Sequence, residues 1–237
     1  TVVTGGPIGS QRSLFLRGGN SNYVRVLVDG VPVNDAGGSI DLANFTTNNV
    51  DRIEIVRGPA SVLYGSDAVT GVIQIFTRDG AGPLAVSAAI GDGSHRSRHA
   101  EVGVSGGSAR ASFTVAGARH STDGMLAFNN GYANDGLSAS LRVAPDARTD
   151  ARIAARWSEA TYHYPTDFDG TINDYNAEQT EHRLTISVDA GRRITDRVEL
   201  RTTLASNEFL PRSNDGPDAA GDTTGFYAFF SRAVRTR

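Results

Sequence analysis

From residue 84 onward the chain alternates apolar and polar residues in one segment after another. An alternation with a period of two is the pattern of β-strands that have one apolar face. About eight such runs occur, and they cover Leu84–Ile90, His99–Ser105, Arg110–Val115, Leu137–Val143, Ala151–Ser158, Arg183–Asp189, Val198–Leu204 and Phe226–Ala233. The pattern predicts a mainly β chain whose strands are antiparallel.

From the second one on, the connections between these runs alternate in length, and the first, Gly91–Ser97, is an exception of middling length. The short ones are Gly106–Ser108, Pro145–Arg148 and Gly191–Thr195, and the long ones are His120–Asp135, Tyr162–Thr180 and Asn207–Thr224. Short turns at one end and long loops at the other are typical of a transmembrane β-barrel. A soluble β-sandwich, which has no reason to sort its loops by length, is the alternative.

Composition excludes several kinds of chemistry. The chain has no cysteine, which rules out disulfides, thiolate metal ligands and cysteine nucleophiles. Its formal net charge is −3, so no bulk attraction to nucleic acid is expected. No phosphate-binding loop, nucleophile elbow or HExxH motif occurs. Several common enzyme signatures are therefore absent.

Residues 1–80 have a different texture and predict a small mixed α/β unit with four or so short strands. At its centre Asp51–Asp79 indicates a strand, a turn, a short helix, a turn and a second strand. Asp29-Gly30 is a tight-turn signal. Ile40–Asn49 is predicted to hold one or two helical turns. We expect one domain over 1–80 and a second over 81–237.

Three stretches of this first unit resemble the plug domain of TonB-dependent outer-membrane receptors. They are Leu16-Arg17-Gly18, Val26–Asn34 and Val50–Ile75. The nearest subgroup is the vitamin B12 receptor-like one. The resemblance implies that 1–80 is a plug domain lacking its start. It also implies that 81–237 holds the first strands of a barrel of about 22 strands, so that the sequence is a fragment of such a receptor.

The resemblance also implies a function. Such a receptor lies in the outer membrane of a Gram-negative-type bacterium, surrounded by lipid. It binds a scarce nutrient, such as cobalamin or an iron-siderophore, and imports it into the periplasm with energy from TonB, ExbB and ExbD. No covalent chemistry and no nucleic acid are involved. The alternative is a non-transporting surface protein that binds a ligand, as an adhesin does.

Two sets of site residues follow from the resemblance. The candidate ligand contacts lie in two glycine-rich loops and are Ser10, Gln11, Asn34, Asp35, Gly37, Gly38 and Ser39. The candidate contacts between plug and barrel are Arg52, Glu54 and Arg57, charges that we expect close to buried positions. A salt bridge within the plug is the alternative for these three charges.

Cofactors are not expected, with one candidate exception. Aspartates that we place in the long loops offer the hard oxygen ligands that Ca²⁺ prefers, and they are Asp123, Asp135, Asp167, Asp169 and Asp174. Asp135 is the candidate ligand, and solvated acidic loops are the alternative. His95 and His99 are four residues apart but span a hairpin rather than a helix, so we do not expect them to bind zinc together.

Overall fold

The computed structural model describes residues 1–6, 8–35, 37–167, 170–219 and 227–236. These residues form a small N-terminal unit and one large antiparallel sheet. Within the described ranges no helix is long and apolar enough to cross a membrane.

The N-terminal unit contains a two-stranded and a four-stranded sheet. Its elements are β1 (Val2–Thr4), β2 (Arg12–Leu14), β3 (Val24–Val28), β4 (Val31–Pro32), β5 (Val50–Arg57), α1 (Ser61–Tyr64) and β6 (Gly71–Thr77). β1 pairs with β2, and the larger sheet has the order β4-β3-β6-β5. The succession of β5, α1 and β6 confirms the strand–turn–helix–turn–strand prediction.

A compact apolar cluster holds this unit together. Val24, Val26 and Val33 are fully buried, and β-branched side chains of this kind fit the pleated surface of a sheet. Asp29 and Gly30 have φ angles of 48° and 81°, which are the values that a two-residue hairpin needs. The predicted tight turn between β3 and β4 is therefore confirmed.

One prediction for this unit was wrong. Ile40–Asn49 forms no helix, because Oδ1 of Asp41 accepts hydrogen bonds from the amides of Arg12 and Ala43 and so holds a turn instead. The charged side chains of β5 are themselves exposed, although Arg57 pairs in the register with the buried Gly71. After its first residue every position of β5 is exposed.

The large sheet, called the wall below, is an antiparallel meander. Its strands are β7 (Ala85–Asp92), β8 (Arg98–Gly107), β9 (Ala111–Thr122), β10 (Tyr132–Asp146), β11 (Thr149–His163), β12 (Glu178–Thr195), β13 (Val198–Asp215), β14 (Tyr227–Phe230) and β15 (Ala233–Thr236). Consecutive strands pair from β7 to β14, and β15 also pairs with β13. The predicted mainly β fold is confirmed. The eighth run forms two short strands.

The strands are longer than their alternating apolar parts, which corrects several loop boundaries. Gly191–Thr195 lies within β12, and Gly191 pairs with Asp150 and Arg201. Asp135 likewise lies in β10 and not in a loop. Alternation of apolar and polar residues marks only the part of a strand that has one apolar face, so the polar strand ends were mistaken for connections.

The wall buries its polar face and exposes its apolar one. In β10, Ser138 and Ser140 are 5% and 8% exposed, whereas Leu137 and Leu141 are 57% and 49% exposed. A sheet in water does the opposite. Strands of this kind belong to a barrel with a polar interior and an apolar outer surface.

Candidate functional site at the interface of the N-terminal unit and the wall

The polar face of the wall carries three arginines that reach the N-terminal unit. Arg152 and Arg156 lie on β11 and Arg183 lies on β12, where it pairs with Ser158 in the register. Residues an even number apart on a strand share a face, so all three side chains leave the same side of the sheet. We call them the wall arginines.

Arg152 contacts the end of the hairpin turn and the end of β6. Its Nη1 lies 3.2 Å from Oδ2 of Asp29, and its Nη2 donates to Oγ1 of Thr77 at 2.7 Å. Asp29 also accepts hydrogen bonds from the amide and hydroxyl of Thr77 at 2.9 and 2.7 Å. A side-chain exposure of 19% for Arg152 and 8% for Asp29 makes this a largely desolvated ion pair.

Arg156 binds the segment between β4 and β5. Its Nη2 donates at 2.7 Å to both the carbonyl and the hydroxyl oxygen of Thr46, and its Nη1 donates to the carbonyl of Asn48 at 3.2 Å. Oδ1 of Asn48 is also 3.1 Å from Nη2. One guanidinium therefore binds both Thr46 and Asn48 without forming an ion pair with a carboxylate of the described chain.

Arg183 combines an ion pair with aromatic contacts. Its Nη2 is 2.9 Å from Oδ1 of Asp35, and its Nη1 donates to the carbonyl of Val33 at 2.8 Å. The guanidinium carbon lies 4.2 Å from the ring centroid of Phe209 on the wall and 5.3 Å from that of Phe45. Stacking and hydrogen bonding together exploit the planar shape of arginine.

Asn44 forms a fourth contact, nearer the end of the wall with the long connections. Its Nδ2 donates to Oε2 of Glu181 at 2.7 Å, and its carbonyl accepts from Nδ2 of Asn134 at 3.1 Å. Its Oδ1 accepts from the hydroxyl of Tyr132 at 3.2 Å. Glu181, Asn134 and Tyr132 are all buried, so the contact is shielded from water.

The two glycine-rich loops predicted to bind ligand lie side by side. Their flanking residues are joined, because the amide of Arg12 donates to Asp41 and the amide of Leu42 donates to the carbonyl of Arg12. Gly9 of the first loop is pressed against the rings of Tyr132 and Tyr162. Both tyrosines lie at strand ends next to long connections, which puts the first loop at that end of the wall.

The seven candidate ligand contacts differ in exposure. The exposed ones are Gln11, Gly37 and Ser39. Asp35 is half-buried, and the buried ones are Ser10, Asn34 and Gly38. The side chain of Asn34 is already used, because it accepts from the amide of Val26 and donates to the carbonyls of Val24 and Gly38, each at 2.8 Å. Ligand binding by these residues stays a prediction.

The predicted plug–barrel charges make their contacts elsewhere. Arg52 lies 2.7 Å from Glu54 and 3.3 Å from Asp51, and its guanidinium stacks on Phe76 at 4.0 Å. Arg57 is exposed and pairs with no carboxylate among the described residues. Their contact with the barrel stays a prediction.

The candidate calcium ligand has a cationic partner. Asp135 accepts two hydrogen bonds from Nη1 of Arg119, at 3.0 and 2.8 Å. In the part of the chain that the structure describes, no three histidine, aspartate or glutamate side chains are grouped to hold a metal. Asp174 is buried and accepts from the amides of Asn176 and Ala177. Asp169 lies outside the described residues.

The wall arginines were missed at the level of sequence. The signal was present, because all three lie on the polar face of alternating runs. Arg142 lies at a polar position of the same kind and is the direct cross-strand partner of Arg152. It nevertheless makes no ion pair with any described residue. Only the docked position of the N-terminal unit distinguishes such arginines.

Comparison with known proteins bears on this arrangement. Residues 1–72 match the family model of the TonB-dependent receptor plug domain. These residues are therefore similar to the plug of a TonB-dependent receptor. The vitamin B12 transporter BtuB of Vibrio vulnificus strain CMCP6 is 30% identical over 231 residues, which are 93% of this chain and 37% of that protein. The chain therefore spans little more than a third of this relative.

Solved structures share the fold of this chain. A mutant of the ferric enterobactin receptor PfeA from Pseudomonas aeruginosa superposes with a TM-score of 0.69 at 21% identity, covering 95% of this chain and 38% of that one. The copper transporter OprC superposes with a TM-score of 0.76 at 14% identity, covering 100% and 37%. The N-terminal unit contains the matched residues and is called the plug below.

Proposed function

We propose that this protein is a ligand-gated importer of the outer membrane of a Gram-negative-type bacterium. It binds a scarce nutrient at the cell surface and releases it into the periplasm when TonB, energised through ExbB and ExbD, acts on the plug. Cobalamin and iron-siderophores are the proposed ligand class. The name of the BtuB relative supports the first, and the name of the PfeA neighbour supports the second.

The polar character of the plug–wall interface is the observation that carries this proposal. Both apolar clusters of the described chain consist of plug residues alone, with members between Leu14 and Ile75. The wall holds the plug through hydrogen bonds and ion pairs, which water can replace when the two separate. Such an interface opens at a lower cost than an apolar core does. A gate requires this property.

The wall supports a membrane location. Its exposed face is apolar, and its buried face carries serine, threonine and the wall arginines. Lipid covers the first face, and a polar lumen filled by the plug explains the second. We place the boundary between plug and barrel near residue 80, between the end of β6 at Thr77 and the start of β7 at Ala85.

The ligand-binding end is proposed from exposure and position. Gln11, Gly37 and Ser39 are exposed beside the plug loop that touches Tyr132 and Tyr162. They offer an amide, an open backbone and a hydroxyl, which suit a large ligand with many polar atoms. We propose that these three residues contact the ligand directly, while Ser10, Asn34, Asp35 and Gly38 shape the two loops.

Uptake in cells tests the proposal. Cells that produce the protein are given radiolabelled cyanocobalamin or ferric enterobactin, with and without an uncoupler that collapses the proton gradient. We expect one of the two to accumulate in energised cells and to remain only surface-bound in de-energised ones. Surface binding that never leads to accumulation identifies a non-transporting ligand-binding protein and refutes import.

A further inference from the structure

Two histidines face each other on the polar side of the wall. His99 on β8 and His120 on β9 are direct partners in the register, and Asn134 on β10 is the next partner along the same row. Direct cross-strand partners project from the same face with Cβ atoms about 5 Å apart. Asn134 contacts the plug through Asn44, so the two histidines stand on the face that the plug occupies.

Nδ1 of His99 and both ring nitrogens of His120 are available. Nε2 of His99 is 3.2 Å from Oε1 of Glu101, which orients the ring and leaves Nδ1 without a partner among the described residues. The ring of His120 is held edge-to-face by Tyr132, at 5.9 Å between centroids. Among the described residues neither nitrogen of His120 has a hydrogen-bond partner.

The separation of the two rings matches a shared ligand. Their centroids are 6.1 Å apart and their planes are inclined by 79°. With metal–nitrogen distances of about 2.0 Å, one tetrahedral ion brings two imidazole centroids to about 5.2 Å. Rotation of two half-exposed side chains about χ1 covers this difference. Imidazole is a preferred ligand of zinc and copper.

We propose that His99 and His120 form a binding site for a divalent transition-metal ion on the inner face of the wall, with Zn²⁺ and Cu²⁺ as the ions that fit. The protein supplies two nitrogen ligands, and water or a bound molecule completes the coordination. Glu101 contacts Nε2 of His99, but no three histidine, aspartate or glutamate side chains of the described chain are grouped to hold a metal, so the site binds its ion reversibly. It does not depend on which nutrient the receptor imports.

The position of this site relates it to the plug. Tyr132, whose ring contacts His120, donates its hydroxyl hydrogen to Oδ1 of Asn44 at 3.2 Å. The side chain of Tyr132 therefore connects the histidine pair to Asn44 of the plug.

Metal titration of the purified protein tests the proposal. The protein is prepared in detergent without a polyhistidine tag, Zn²⁺ binding is measured by calorimetry, and Cu²⁺ binding is followed by electron paramagnetic resonance. We expect one site with a two-nitrogen splitting pattern. We expect His99→Ala and His120→Ala each to lower the Zn²⁺ affinity about tenfold or more, as loss of one of two ligands should. His120→Asn, which preserves polarity, should do the same in a folded protein.

His182→Ala is the matched control. His182 also contacts a carboxylate, with Nε2 2.8 Å from Oε2 of Glu159, but its register partners are Glu159 and Leu210 and not a histidine. Its replacement should leave the affinity unchanged. Wild-type affinity in both His99→Ala and His120→Ala overturns the proposal. An equal loss in His182→Ala overturns it too, because binding would then be non-specific.

Discussion

Nη1 of Arg152 lies 3.2 Å from Oδ2 of Asp29, and that same carboxylate accepts the amide and hydroxyl hydrogen bonds of Thr77. The carboxylate of Asp29 therefore joins the β3–β4 hairpin to β6 and also forms an ion pair with the wall. The same carboxylate therefore stabilises the folded plug and holds the plug against the wall.

Replacing Arg152 with alanine should loosen the plug. It leaves the 8%-exposed Asp29 without its cation, and breaking a largely buried pair costs about 2–4 kcal/mol after allowance for partial exposure. We expect lower thermal stability and a higher pore conductance in planar bilayers. Arg142→Ala is the control, since Arg142 faces Arg152 across the sheet without an ion pair to a described residue. Equal conductance of the two variants would contradict the assigned contact.

The Arg156→Lys variant should lose the contact even though it keeps the charge. Two nitrogens of the guanidinium donate to four acceptor oxygens on Thr46 and Asn48. A single ammonium group cannot reach all four. We expect a destabilisation of about 1–2 kcal/mol in urea unfolding. Arg142→Lys should change stability by less than about 0.5 kcal/mol. A lysine at 156 that is as stable as wild type would show that charge alone holds this segment.

Asn34 and Ser39 should separate stability from binding. Asn34→Ala leaves the buried amide of Val26 and the carbonyl of Val24 without their partner, at a cost of about 2–4 kcal/mol. Ser39 is exposed, so Ser39→Ala should leave unfolding unchanged and weaken ligand binding about threefold. Unfolding curves and equilibrium binding measure the two effects. If Ser39→Ala has wild-type affinity, Ser39 is not a ligand contact.

Gly9 and Gly37 should respond differently to the same added methyl group. Both have positive φ angles, of 94° and 89°, so alanine at either position incurs backbone strain of about 1–2 kcal/mol. At Gly9 the new Cβ would also lie 2.5 Å from Tyr132 and 2.6 Å from Tyr162, whereas nothing lies within 4 Å at Gly37. Thermal unfolding should therefore show a larger loss for Gly9→Ala. Equal losses would show that this loop does not press on the tyrosines.

Local patterns predicted the elements of this fold well. The alternating runs located the wall strands, and Asp29-Gly30 located a hairpin, because both signals depend on neighbours in the chain. They failed where tertiary contacts decide. Aspartate is a favoured residue at a helix N-cap, yet the carboxylate of Asp41 accepts a hydrogen bond from the amide of Arg12, which is 29 residues away.

The interface was harder to predict for the same reason. Arg142, Arg152 and Arg156 all lie at polar positions of alternating runs, and only the docked plug separates the two that bind it from the one that does not. Asn34 was predicted to contact a ligand because the resemblance places it in a glycine-rich loop that touches ligand, where its polar side chain would supply hydrogen bonds. Burial of its side chain against β3 depends on packing that no local pattern records.

Several acceptors of the wall arginines are main-chain oxygens, namely those of Val33, Thr46 and Asn48. A carbonyl oxygen is present whatever side chain the residue carries. Arginines can therefore stay fixed in related receptors while the plug residues opposite them drift. A search for correlated substitutions would not detect these contacts. Selection would preserve the path of the plug backbone rather than the identity of its side chains.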